Sequence, residues 1–273
     1  MILRAFGGWL DGSALWQIGI GLLIAMALAA GLGHVLRKWR RRKRAAESTD
    51  GEGYVVSAVL GLLALLMGFT FSLAIDRFEA RRGLVLEEAN AIGTTYLRAQ
   101  LLEAPHRARI SRMLVDYTDN RIALAQAPRE RLGPLVAIND RLITDLWTAT
   151  AAAWPTIKGL DFSSAFLESM NAVIDLDAAR KVARAARVPV EVFLVLVIYV
   201  IAAAGVLGYT LADQRGRGAA VLLILLLSMS LLLVIDIDRP DVGGVGEVQT
   251  PMLQLKASLA AQPPSVFDRP LAP

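Results

Sequence analysis

The chain has no cysteine and only two histidines, His34 and His106, among its 273 residues. The first absence excludes disulfides, iron–sulfur clusters and thiolate sites. The second leaves no pair at H-x-x-x-H or related ligand spacing, so neither a metal nor another cofactor is expected. A nucleophile–base pairing and a glycine-rich phosphate loop are also missing, which argues against an enzyme. Strand-like alternation is nearly absent. Above all, charge is missing from four long stretches: Leu15–Leu36, Tyr54–Ile75, Val192–Ala212 and Ala219–Ile235.

The first three stretches reach 21 or 22 residues. A hydrocarbon core of roughly 30 Å needs about 20 helical residues to cross it. Lipid offers backbone groups no hydrogen-bond partner, so such stretches cross as helices. The fourth has 17 residues and can be extended by Gly216–Gly218. Hydrophobic residues make up 55% of the chain, with a mean hydropathy of +0.49. Ala27–Leu28–Ala29 has the small-residue spacing of a signal-peptide cleavage site, but the apolar run continues past it and the basic block follows instead of preceding it. That is the reverse of a signal peptide's charge order, so the first stretch is read as a retained helix.

The formal net charge of +4 is local in origin. Arg37, Lys38, Arg40, Arg41, Arg42, Lys43 and Arg44 form a basic block with no acid after the first stretch. The segment Asp76–Arg187, with 16 basic and 14 acidic residues, is close to balance. Balanced charge is the pattern of a solvated helix surface, and nucleic-acid binding is not expected. Short loops rich in Lys and Arg stay cytoplasmic. The block, with Arg215 and Arg217 in the other short loop, therefore places the long middle segment outside the cytoplasm. It can also rest on anionic lipid headgroups as a cytoplasmic anchor. The composition, rich in alanine and arginine, suits a GC-rich bacterium and hence its inner membrane.

These readings give an all-α integral membrane protein, with four transmembrane helices and a helical bundle inserted between the second and third. Its divisions are an N-terminal helix and basic loop (1–53), the second span (54–75), a helical soluble domain (76–187), the third and fourth spans (188–236) and a C-terminal tail (237–273). Within the middle domain, apolar stripes at helical spacing fall on Phe78, Val85, Ala89, Ile92 and Tyr96, and then on Ile110, Leu114, Tyr117 and Leu124. A third runs through Leu135, Ile138, Leu142, Leu146, Ala149 and Ala153, and a fourth through Leu167, Met170, Ile174, Ala178 and Val182. Pro128, Gly133, Pro134 and Pro155–Gly159 are expected to separate the helices.

Three groups of residues are candidates for function. Leu62, Leu65, Phe69, Ser72 and Asp76 fall on one line of the second span, apolar at first and ending in a carboxylate. Repeated in an oligomer, that line would make a hydrophobic constriction with a charged mouth; periodicity alone favours the plainer reading, a stripe facing lipid or core. Asp76, Arg77 and Glu79 leave the second span on the membrane face where Asp236, Asp238 and Arg239 leave the fourth, and the two clusters can pair. Glu87, Asn90 and Thr94 form a polar line suited to an inter-helix hydrogen-bond network.

The run Leu62–Arg98, LLALLMGFTFSLAIDRFEARRGLVLEEANAIGTTYLR, resembles a family of bacterial membrane proteins called bestrophin-like. So does Leu231–Leu259, with its DIDRP sequence and downstream proline. Asp76, Arg77, Glu79, Glu87, Asn90, Asp236, Asp238 and Arg239 match recurring positions of that family. The resemblance implies a link to bestrophins, oligomeric anion channels whose second span lines the pore. Its implied partners are membrane lipids, further copies of the chain and inorganic anions. Bestrophins keep the helical domain in the cytoplasm, whereas the basic block here points it outward, and no acidic calcium-binding loop is present. The alternative expectation is a non-conducting scaffold or sensor whose helical domain binds a ligand or partner.

Overall fold

A computed structural model describes residues 2–43, 50–211, 214–239 and 248–268. All the regular structure in it is helical: α1 (Ile2–Gly12), α2 (Leu15–Lys43), α3 (Asp50–Ala99), α4 (Ala104–Gln126), α5 (Arg129–Ile157), α6 (Ser163–Ala185), α7 (Val190–Thr210), α8 (Gln214–Asp238), α9 (Thr250–Ala261) and a 3-10 turn at Pro264–Asp268. Among the described residues, four segments are long and apolar enough to cross a membrane: Leu15–Arg40, Gly53–Ala99, Ser163–Thr210 and Gly216–Asp238. The chain divides into two compact units, 1–78 with 187–246, and 79–186 with 247–273.

The first unit is built on the contact between α2 and α7. Association in lipid gains little from the hydrophobic effect, so it relies on close packing, which small residues permit. Here the approach is backbone to backbone. A Cβ at Gly33 would collide with the carbonyl oxygen of Gly205, and one at Gly208 with that of Ala30. One turn beyond Gly33, the buried Arg37 donates to the carbonyl oxygens of Tyr209, at 3.0 Å, and Thr210. These are last-turn carbonyls of α7, which have no partner within the helix. α8 packs against α2 as well, where Ser228 donates to the Met26 sulfur at 3.3 Å. Met26, Leu63, Phe193, Leu196, Val200 and Leu231 form the centre of this core. α3 contributes through Leu63, Met67 and Ala74.

The second unit packs α4, α5, α6 and α9 with the C-terminal part of α3. Val85, Ala89, Ile92 and Tyr96 are buried, as their spacing predicts, and so are Ile110, Leu114, Tyr117 and Leu124. The third stripe departs at Ile138, which is exposed, while Leu146, Ala149 and Ala153 are buried. The fourth stripe is rotated. α6 buries Ser163, Phe166, Ser169, Met170, Val173, Asp177 and Arg180, whereas Ala178 and Val182 are exposed. Pro134 and Pro155 do not end a helix either; both lie inside α5. Pro134 is in the second turn and Pro155 in the last, where each missing N–H removes a bond close to a helix end.

The segment after residue 247 folds onto this unit. Met252 and Leu259 enter its core. Tyr96 donates its hydroxyl to the Gln262 carbonyl at 2.8 Å, Lys256 pairs with Asp119 at 2.8 Å, and Arg107 meets Asp268 with two bonds of 2.7 and 3.1 Å.

Replacing Gly33 or Gly208 by leucine is expected to abolish the folded protein, read as loss of the monodisperse peak in detergent size exclusion. Gly31→Ala, on the same helix but facing open space, should leave the peak and the melting temperature unchanged.

Candidate functional site: the outer line of α3 and two charged clusters

α3 presents two different faces in the first unit. Leu63, Met67, Thr70 and Ala74 are buried, and Thr70 returns its hydroxyl to the Leu66 carbonyl at 2.8 Å. Leu62, Leu65, Phe69, Ser72 and Asp76 are all exposed, Phe69 at 66%. The candidate line is therefore left uncovered by its own chain. A helix turning one face to its core and such a line outward leaves that line to lipid or to another copy.

The end of α8 acts as a clasp within the same unit. The Asp238 carboxylate accepts the Val188 N–H at 2.9 Å, ahead of α7. Arg187 donates to the Asp238 carbonyl at 3.4 Å, and Arg239 to the Ser13 carbonyl, in the α1–α2 turn, at 2.9 Å. Asp236, Asp238 and Arg239 are buried, whereas Asp76 is exposed. Arg77 is half-buried and its Nη1 meets no hydrogen-bond partner. Glu79 is exposed and pairs with Arg82 at 3.5 Å on its own helix. Asp238 and Arg239 thus bind backbone at two helix entrances, interactions that charge pairing alone does not anticipate.

The basic block is divided too. Arg37 is only 6% exposed and is committed to α7, so it is not free for a headgroup. Lys38 and Arg40 are exposed. Arg41, Arg42 and Lys43 continue α2; Arg44 lies outside the described residues.

In the second unit, Glu87, Asn90 and Thr94 all face outward. The buried network lies one position further on, at Glu88, which is 0% exposed. A single residue turns the helix by about 100°, enough to exchange a solvent-facing carboxylate for a buried one. Glu88 receives the Tyr117 hydroxyl at 2.5 Å and Arg180 Nη1 at 2.5 Å, while Arg121 Nε lies 3.1 and 3.2 Å from its two oxygens. Arg121 Nη1 continues to Asp177 at 3.3 Å, and Asn139 donates to the same Asp177 oxygen at 2.8 Å. Lys181 joins Asp177 to Asp140, with 2.6 Å to each. Three acids meet three bases, joining α3, α4, α5 and α6.

The electrostatics follow from this geometry. Burial, and after it the Glu88 carboxylate, pushes the Tyr117 hydroxyl well above its ordinary range, so it remains a donor. Burial pulls the Arg121 guanidinium down, but Glu88, Tyr117 and Asp177 together outweigh it and the net shift is upward. That guanidinium also stands 5.9 Å from the centre of the Tyr117 ring, within cation–π range. No group of three or more His, Asp or Glu able to hold a metal ion occurs among the described residues. The cluster is built to hold charge in place, since each acid is already bound by bases.

Glu88→Gln leaves two buried guanidiniums short of a counter-charge and should cost about 3–5 kcal/mol, read by thermal unfolding in detergent. Glu87→Gln should stay within about 0.5 kcal/mol of the parent. A tyrosine whose folded pKa is raised stabilises fully below its unfolded value, about 10, and loses that contribution as pH rises further. Tyr117→Phe should therefore flatten the fall in melting temperature above about pH 10 relative to the parent.

Comparison with known proteins accords with this architecture. Residues 23–250 match the model of the Bestrophin-like domain. The fold is similar to that of a bacterial bestrophin homologue from Klebsiella pneumoniae. A crystal structure of one point variant gives a TM-score of 0.70 at 14% identity, covering 94% of this chain and 99% of that one. The structure solved by zinc phasing gives 0.66 at 15%, covering 92% and 99%. No curated protein matches. With the family model spanning most of its length and four helices fit to cross a bilayer, the chain is a multi-pass membrane protein that belongs to the bestrophin-like family.

Proposed function

We propose that the protein is an oligomeric, anion-conducting channel of a bacterial inner membrane, with Leu62, Leu65, Phe69, Ser72 and Asp76 of α3 facing the conduction axis. One observation carries the reading: these five positions are exposed in the single chain while the opposite face of α3 is buried. A line ending in a hydroxyl and a carboxylate is costly against lipid and suited to a water-filled axis. Brought together by symmetry, the Phe69 rings would form the narrowest apolar ring and the Asp76 carboxylates the mouth. Membership of the bestrophin-like family supports the same assignment.

In this reading the helical unit lies outside the cytoplasm, because the basic residues after α2 stay inside. Exposed Thr148 of α5 offers a test. With no native cysteine in the chain, Thr148→Cys should react with a membrane-impermeant maleimide in spheroplasts without lysis. Reaction only after lysis would invert the orientation.

The conduction test is the reversal potential of purified protein in a bilayer under a KCl gradient. Reversal near the chloride equilibrium potential is expected, with Phe69→Ala raising the current and Asp76→Lys altering selectivity. Reversal near potassium's keeps a pore and overturns anion selection. Silence over several preparations overturns the channel in favour of a non-conducting scaffold or sensor.

A further inference from the structure

The first unit carries an apolar groove of about 540 Å³, lined along α2 by Gly33, Leu36 and Arg40, along α7 by Ala202 and Gly205, and by Val55 of α3. Small residues create it. Gly33 and Gly205, which let the two backbones meet, leave no side chain to fill the space beside the contact. Its α2 wall runs from Ala29 to Arg40, a rise of about 16 Å at 1.5 Å per residue. That length suits much of an extended acyl chain.

The two ends differ. The Ala29 end is apolar, whereas Arg40 closes the other. Beside Arg40 stand exposed Lys38 and Trp39, and Trp with Lys or Arg marks headgroup depth. Arg37 is buried and held by the Tyr209 and Thr210 carbonyls, so among the described side chains of α2 the exposed charge at this end is that of Lys38 and Arg40. The groove therefore runs from hydrocarbon depth to a cationic rim at headgroup depth.

We propose that this groove binds one anionic phospholipid, its acyl chain lying along Gly33 and Gly205 and its phosphate meeting Arg40. Charge complementarity decides the occupant. A guanidinium at the end of an apolar slot matches a lipid with net negative charge and gives no comparable advantage to a zwitterionic one. The site is independent of the proposed conduction line, whose residues are not part of the groove.

The test is native mass spectrometry of the full chain in detergent, titrated with phosphatidylglycerol or phosphatidylcholine of equal chain length. The parent protein should hold at least tenfold more phosphatidylglycerol at equal concentration. Arg40→Gln should bring phosphatidylglycerol down to the phosphatidylcholine level while leaving the latter unchanged. Ala202→Phe, which fills the groove from an exposed position, should lose both. Equal retention of the two lipids by the parent, or unchanged preference in Arg40→Gln, overturns the proposal. A second copy seated in the groove would overturn it as well, and would appear as a disulfide-linked dimer of Ala202→Cys in oxidised membranes. If either substitution prevents folding, the parent's preference between the two lipids still decides.

Discussion

The membrane unit depends on one close approach, that of α2 to α7. At Gly33 and Gly208 the opposing backbones come nearer than any Cβ would allow. Everything else in the unit is placed relative to that seam. Arg37 reaches the last carbonyls of α7 because Gly33, one turn away, has brought the helices together. Two turns before Gly33, Met26 meets Ser228 of α8. The DIDRP end of α8 then secures the entrances: Asp238 binds the N–H of Val188 and Arg239 the carbonyl of Ser13. In lipid, where burial drives helices together weakly, such geometric fit and backbone satisfaction substitute for a hydrophobic core.

Buried charge meets two kinds of partner in this chain. In the membrane unit Arg37, Asp238 and Arg239 bind backbone atoms at helix ends, where N–H and C=O groups lack partners within the helix. The helical unit pairs charge with charge, around Glu88 and Asp177. Such a cluster is weak evidence for net stability, since desolvation offsets much of the attraction. What it does fix is register. A helix turned by one residue would place a carboxylate among apolar neighbours or an alkyl chain against a guanidinium.

Much of this was readable from the chain. Long uncharged runs identify the spans because the hydrocarbon core sets a length no soluble helix needs to meet. The stripes through Ile92 and Tyr117 point to the core because large apolar residues recur on them at helical spacing. The reading fails where the buried face is polar. On α6 the apolar positions Ala178 and Val182 mark the outer side, because Asp177 and Arg180 occupy the inner one. On α3, adjacent carboxylates at 87 and 88 look alike in sequence, and only the partners on other helices tell them apart. Likewise Arg37 is one base among seven until the end of α7 is beside it. The residues after 247 read as a tail, although Met252 and Leu259 enter the core; what holds them is a set of contacts with α3 and α4 that no local pattern announces.

The Glu88 cluster also ties together residues far apart in the chain. Its members stand at positions 88, 117, 121, 139, 140, 177, 180 and 181, so the final contact spans 92 residues between Glu88 and Arg180. Long-range closure of this kind is slow, because chain entropy is lost before the contact is gained. The pairs are also distributed so that no two helices hold them all: α3 meets α4 through Glu88 and Arg121, and α6 joins both through Arg180 and Asp177. The set is complete only when every one of these helices is in place.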